Sequence, residues 1–92
     1  MFLHVTEVEP LENYKLRLSF NTGLVGEVDL ANELIGQVFE PLRDVAKFRS
    51  VRLMGHTVAW EDGADFAPEF LRDLMLEQGT VLELGGAGEG KP

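Results

Sequence analysis

Apolar and polar residues alternate with a period of two over two neighbouring stretches, and that rhythm sets the expected fold. Tyr14, Leu16, Leu18 and Phe20 alternate with Lys15, Arg17 and Ser19, as expected of a strand with one face on a core. Leu24 to Leu30 repeats the pattern, with Leu24, Val28 and Leu30 inward and Glu27 and Asp29 outward. Between them, Asn21-Thr22-Gly23 supplies residues that tolerate the positive φ of a tight hairpin. A loop of that length places Phe20 beside Leu24, Arg17 opposite Glu27 and Lys15 opposite Asp29. Turn chemistry, apolar face and charge pairing therefore agree on one register. Ahead of this hairpin, Val5 to Glu9 reads as another strand, its pairing ended by Pro10.

After Leu30 the period changes. Ala31 to Ile35 predicts a short helical turn closed by Gly36, and Gln37 to Leu42 a connector with two apolar anchors, Phe39 and Leu42. Asp44 is placed to cap a second short helix, Val45 to Arg49. Val51 to Leu53 and Thr57 to Trp60 read as two strands bent at Gly55-His56. Pro68 suits the first turn of a helix whose apolar face is Phe70, Leu71, Leu74 and Met75, ending at Gly79. Ala67 is a poor cap for that helix, since it has no side-chain oxygen. Thr80 to Leu84 predicts a short strand, on this chain's own sheet or on a partner's edge. From Gly85 onward the chain is glycine-rich and too polar to offset its ordering entropy, so residues 85–92 are expected to be disordered. The expected unit is one compact domain over residues 1–84.

Composition narrows the chemistry. There is no cysteine among the 92 residues, which excludes disulfides, thiolate metal sites and cysteine nucleophiles. Sixteen acidic side chains against 8 basic ones give a formal charge of −8, a surface that repels phosphate. Direct nucleic-acid binding is therefore not expected. The start of the chain lacks the pattern of a signal peptide, and no apolar run approaches the roughly 20 residues that cross a bilayer. A cytoplasmic protein without membrane contact is expected.

A larger pattern then emerges from the motifs taken in order. Val8-Glu9-Pro10-Leu11, Tyr14-Lys15-Leu16-Arg17-Leu18, the Asn-Thr-Gly turn and Glu27-Val28-Asp29-Leu30 come first. Val38-Phe39-Glu40-Pro41-Leu42-Arg43-Asp44, Phe48, Val51-Arg52 and Thr57-Val58-Ala59-Trp60-Glu61-Asp62-Gly63-Ala64-Asp65 follow, before Pro68-Glu69. The chain resembles the small bacterial family catalogued as domain of unknown function 2442. The resemblance implies an α+β fold: a small antiparallel β-meander with short helices packed on one side. It also implies companions, since some members resemble the front half of helix-turn-helix DNA-binding proteins and others are encoded beside a second small protein, as in toxin–antitoxin pairs. It carries over no catalytic residue. The chain departs from the family pattern where Glu61-Asp62 follows Trp60 in place of proline and asparagine, and where Val45 and Ala67 replace a proline and a capping residue.

Two segments stand out as candidate contact surfaces. Trp60, Glu61, Asp62, Asp65 and Glu69 form the densest polar feature, and Phe39, Glu40, Pro41 and Arg43 lie in the connector. The carboxylates of the first segment have the oxygen chemistry for a divalent cation, but Asp62-Gly63 is equally a turn and Asp65 a local acceptor, and the EF-hand spacing is absent. Turn chemistry is the simpler account. Trp60 alternates with Val58, which places it in the core rather than on the surface. Paired carboxylates for acid–base catalysis would need a deep pocket, which so short a chain has little room to build. His4 and His56 each lack a second ligand at metal-site spacing, and Ser19 and Ser50 lack a partnered histidine. No cofactor and no enzymatic activity are expected. The reading that follows is an acidic interaction module, in its most specific form the antitoxin-like partner of a small basic protein. A small-ligand or metal site in residues 60–69 and a DNA-linked accessory role are the alternatives, and residues 80–84 offer an edge for a homodimer.

Overall fold

The structure, a computed structural model, describes residues 2–84. In chain order its elements are β1 (Val5–Pro10), β2 (Lys15–Phe20), β3 (Leu24–Asp29), a 3₁₀ turn at Ala31–Glu33, a second at Glu40–Arg43, α1 (Val45–Arg49), β4 (Arg52–Met54), β5 (Thr57–Ala59), α2 (Pro68–Gln78) and β6 (Val81–Leu84). The class is α+β. The main antiparallel sheet runs β1-β2-β3-β6, so the meander of the first three strands is completed by the last strand, while β4 and β5 pair as a separate hairpin. That hairpin lies against the start of β1, where the Val5 N–H donates to the His56 carbonyl at 2.8 Å. The glycine-rich segment expected to be disordered lies outside the described residues.

The β2–β3 hairpin has the register its sequence predicts: Lys15 faces Asp29, Leu16 faces Val28, Arg17 faces Glu27 and Leu18 faces Gly26. Arg17 and Glu27 close an ion pair at 3.2 Å. Both side chains are substantially exposed, so the pair contributes about 0.2–1 kcal/mol. Lys15 and Asp29 face each other but form no ion pair among the described residues. Asp29 instead turns its Oδ1 to the Ala31 N–H at 2.9 Å, an Asx turn that starts the following 3₁₀ turn. A short local bond outcompetes a flexible cross-strand one here.

Two further expectations need correcting. Tyr14 is not the first inward residue of the strand. It sits in the β1–β2 turn at φ 64° beside Asn13 at φ 61°, and its ring packs edge-on against Phe48 with centroids 5.4 Å apart. Pro10 does not end the pairing either: β1 runs through it, opposite Leu16. Pro10 is the last residue of an edge strand, where its missing N–H costs no ladder bond.

The core lies on one face of the sheet. Leu16, Leu18, Phe20, Leu24, Val28 and Leu30 from the hairpin meet Leu34 and Leu42 from the connector, Phe48 from α1, Val58 and Trp60 from the second hairpin, and Leu71 and Met75 from α2. Asp44 caps α1 as predicted, accepting from the N–H groups of Ala46 and Lys47. Ala67 gives α2 no side-chain cap, and Gly79 ends that helix at φ 70°. The apolar face of α2 is narrower than its spacing suggests, because Phe70 remains 38% exposed at the margin.

Where β3 meets the end of α2, the sheet is unusually tight. Gly26 is buried, and a Cβ built there would lie 2.4 Å from Met75 Sδ and 2.8 Å from the Thr80 carbonyl oxygen. The β3–β6 register shifts at this point, with Gly26 opposite Val81 after Val25 faces Glu83. Thr80 then bonds Glu27 twice, its carbonyl accepting the Glu27 N–H at 3.1 Å and its hydroxyl donating to the Glu27 carbonyl. One step further, the Gln78 side-chain amide takes over. Its Oε1 accepts the Asp29 N–H at 2.9 Å and its Nε2 donates to the Asp29 carbonyl at 3.0 Å. A side chain thus occupies the place a strand residue would hold. Of the two placements open to the last segment, own sheet or partner's edge, the structure shows the first.

The Gln78 amide gives a local prediction. Gln78→Ala should lower stability by about 1–2 kcal/mol, the net worth of two solvent-accessible hydrogen bonds. Amide hydrogen exchange is the sharper readout, with the Asp29 N–H exchanging roughly tenfold faster while β2 amides stay protected. Unchanged protection at Asp29 would show that the amide pairing carries no weight.

Candidate functional site

The connector is held down at both ends. Gly36 turns the chain at φ 91°, and its carbonyl accepts the N–H groups of Phe39 and Glu40. Pro41 is the second residue of the 3₁₀ turn, where a missing N–H is harmless, and Leu42 reaches into the core. Arg43 donates Nε to the Leu34 carbonyl at 3.1 Å, and its own carbonyl accepts the Tyr14 hydroxyl.

The acidic loop is equally fixed. Trp60 N–H donates to the Ala64 carbonyl at 2.9 Å and Gly63 N–H to the Trp60 carbonyl at 3.0 Å, a tight turn that Gly63 permits at φ 97°. Asp62 Oδ1 accepts the Ala64 N–H at 3.1 Å, and the backbone of Asp65 bridges to Ala59. Turn chemistry therefore accounts for this loop, with Asp62 rather than Asp65 as the side-chain acceptor. The indole Nε1–H of Trp60 donates to the Phe48 carbonyl at 2.8 Å.

An aromatic stack joins the two segments. Phe66 lies parallel to Phe39 at 4.7 Å and to Phe70 at 5.4 Å, and meets Trp60 edge-on at 6.0 Å. Between the segments lies a groove of about 340 Å³ lined by Pro41, Leu42, Lys47, Ser50, Trp60, Glu61 and Asp62. Four of the nine predicted contact residues, Pro41, Trp60, Glu61 and Asp62, meet there. Trp60 is only 2% exposed, so it is a wall of the groove and not a projecting anchor. Phe39 is half-buried in the stack, and Glu40, Arg43, Asp65 and Glu69 are exposed away from the groove lining. Lys47 and Ser50 escaped the sequence reading, because their place beside Trp60 depends on how α1 turns onto the second hairpin.

The profile of the family described as a protein of unknown function, DUF2442, matches residues 5–75. The chain belongs to the DUF2442 family. No curated protein matches it. Among solved structures it is similar to a crystal structure from Nitrosomonas europaea provisionally described as a DNA-binding protein, at 30% identity and a TM-score of 0.74. The likeness takes in 86% of this chain and 52% of that one, so the present chain spans about half the length of its neighbour.

Among the described residues no polar or charged side chain is buried, so the groove holds no desolvated acid, base or nucleophile. Nor do three or more His, Asp or Glu residues gather there as a cation cage. Among the described residues no helix is long and apolar enough to cross a membrane. The histidines hold a surprise: His4 and His56, with no partner visible in the sequence, have ring centroids 5.7 Å apart.

Proposed function

We propose that this domain is a non-enzymatic protein-interaction module whose contact face is the groove between residues 41–50 and 60–62. The observation that carries the reading is the convergence of two separate segments on one groove, with apolar walls from Pro41, Leu42 and Trp60 and two carboxylates, Glu61 and Asp62, at its rim. The chain as a whole carries −8, so the partner it suits presents a basic segment with an apolar side chain beside the charge. Pairing with a small basic protein, in the manner of an antitoxin, is the most specific form of this reading and follows from the family resemblance.

Glu61 and Asp62 are both exposed, and Asp62→Asn keeps the Oδ1 that accepts the Ala64 N–H, so Glu61→Lys with Asp62→Asn removes the charge and leaves the turn in place. The 92-residue chain used as bait at low salt should retain a basic partner, and Glu61→Lys with Asp62→Asn should slow association by about tenfold, because rim charges act mainly on the on-rate. A partner held equally well by the double variant, or none held by the wild type, counts against the reading.

A DNA-linked accessory role is the second reading, favoured by the description of the Nitrosomonas europaea protein and by its greater length. In that case the present domain is the companion of a separate DNA-contacting part, since its own charge opposes phosphate. The identity of the retained partner separates the two readings: a partner that itself binds duplex DNA at low salt favours the second.

A further inference from the structure

The described chain brings both of its histidines together, and nothing in the groove explains why. His4 precedes β1, His56 lies in the β4–β5 bend, and the bond from Val5 N–H to the His56 carbonyl at 2.8 Å fixes the two backbones side by side. The rings are tilted by 50° with centroids 5.7 Å apart. We propose that His4 and His56 form a two-histidine site for a divalent transition-metal ion of the zinc, nickel or copper class, completed by water.

Three observations support the assignment. The first is spacing. Imidazole nitrogens bind such ions at about 2.0–2.1 Å, which puts each ring centre about 3.2 Å from the metal and the two centres about 5.2 Å apart at a tetrahedral angle. The observed 5.7 Å lies within about half an ångström of that separation. The second is tautomer. His4 Nδ1 lies 3.3 Å from the Phe2 carbonyl oxygen. A carbonyl can only accept, so the bond puts the proton on Nδ1 and leaves the Nε2 lone pair free. Backbone carbonyls hold metal-binding histidines in this way, fixing the tautomer through the other nitrogen. The third is charge: a chain at −8 attracts cations generally, while imidazole selects borderline transition ions over the hard, oxygen-seeking Mg²⁺ and Ca²⁺.

An ion held there would tie the segment before β1 to the β4–β5 bend, two parts of the chain joined otherwise by the Val5 bond and ring contact. The site is independent of the proposed interaction face, so each can fail without the other.

The test uses the untagged 92-residue chain with Zn²⁺ alone, titrated by calorimetry at neutral pH. One equivalent of Zn²⁺ should bind and raise the melting temperature, with Mg²⁺ at the same concentration doing neither. His56→Gln and His4→Gln should each weaken binding at least tenfold. Because His4 is half-buried, the wild type supplies a check that needs no variant: a trace of Cu²⁺ should broaden the ring resonances of both histidines together. Undiminished Zn²⁺ binding in His56→Gln, or broadening confined to one ring or to carboxylate residues, would overturn the site.

Discussion

Gly26→Ala should destabilise the domain by about 3 kcal/mol, at the top of the usual range for overpacking a core. The added methyl group meets Met75 Sδ at 2.4 Å and the Thr80 carbonyl oxygen at 2.8 Å, and neither can step aside freely. Met75 is fully buried, and the Thr80 carbonyl already accepts the Glu27 N–H. For a chain of this size the loss corresponds to a fall in melting temperature of roughly 12–24 °C, read by circular dichroism. Shortening Met75 in the same chain should restore only part of the loss, since the backbone contact with Thr80 stays. A Gly26→Ala chain melting within about 2 °C of the wild type would mean that α2 and β3 sit further apart than described.

Trp60→Ala should be the most damaging single truncation. The ring is 2% exposed, packs on Phe48 and Phe66, and donates its indole N–H to the Phe48 carbonyl. Deleting a buried indole costs about 3–5 kcal/mol, a large share of the roughly 5–14 kcal/mol available to a chain of this length. Urea titration should therefore show a chain partly unfolded at 37 °C. Trp60→Phe separates packing from hydrogen bonding. The Phe48 carbonyl also accepts the Val51 N–H at 3.3 Å, so losing the indole donor does not orphan it. The milder variant should cost about 1–2 kcal/mol. Equal losses in the two variants would show that the hydrogen bond, rather than the ring volume, secures this residue.

The two predictions differ in how visible their residues were. Trp60 alternates with Val58, and its burial follows from that spacing. Gly26 gave no such signal, because its need to be glycine arises from α2 and Thr80, which reach it from the other end of the chain. The same division runs through the fold. The β2–β3 register was legible because turn, apolar face and charge all restate it locally, and the Asp44 cap and Gly79 stop are local too. Tyr14 was misread as a strand residue because its side chain is apolar and correctly phased, while its backbone answers to the turn and its ring to Phe48. Lys15 faces Asp29 as that register requires, but Asp29 turns its carboxylate to a local competitor, the Ala31 N–H.

The candidate site was half legible for the same reason. Residue type alone drew attention to Glu61, Asp62 and Pro41, but nothing in the sequence said that their segments share a groove. Lys47 and Ser50 carry no signal of their own. The histidine pair was wholly hidden, since it depends on the β4–β5 bend lying against the start of β1.

The Gln78 amide has a consequence for how the protein behaves at high concentration. An open strand edge recruits other strands, and the outer edge of β3 would be such a template beyond the point where β6 leaves it. Thr80 and then Gln78 fill that edge with the chain's own donors and acceptors, while the His56 carbonyl occupies the first residue of β1. The β3 edge is thus closed from within, which leaves the outer edge of β1 beyond Val5 and β6, with exposed Leu82 and Leu84, as the outer edges of the main sheet. A domain so edged can meet another strand only along its two outermost strands, and the four-residue β6 is the shorter of those templates.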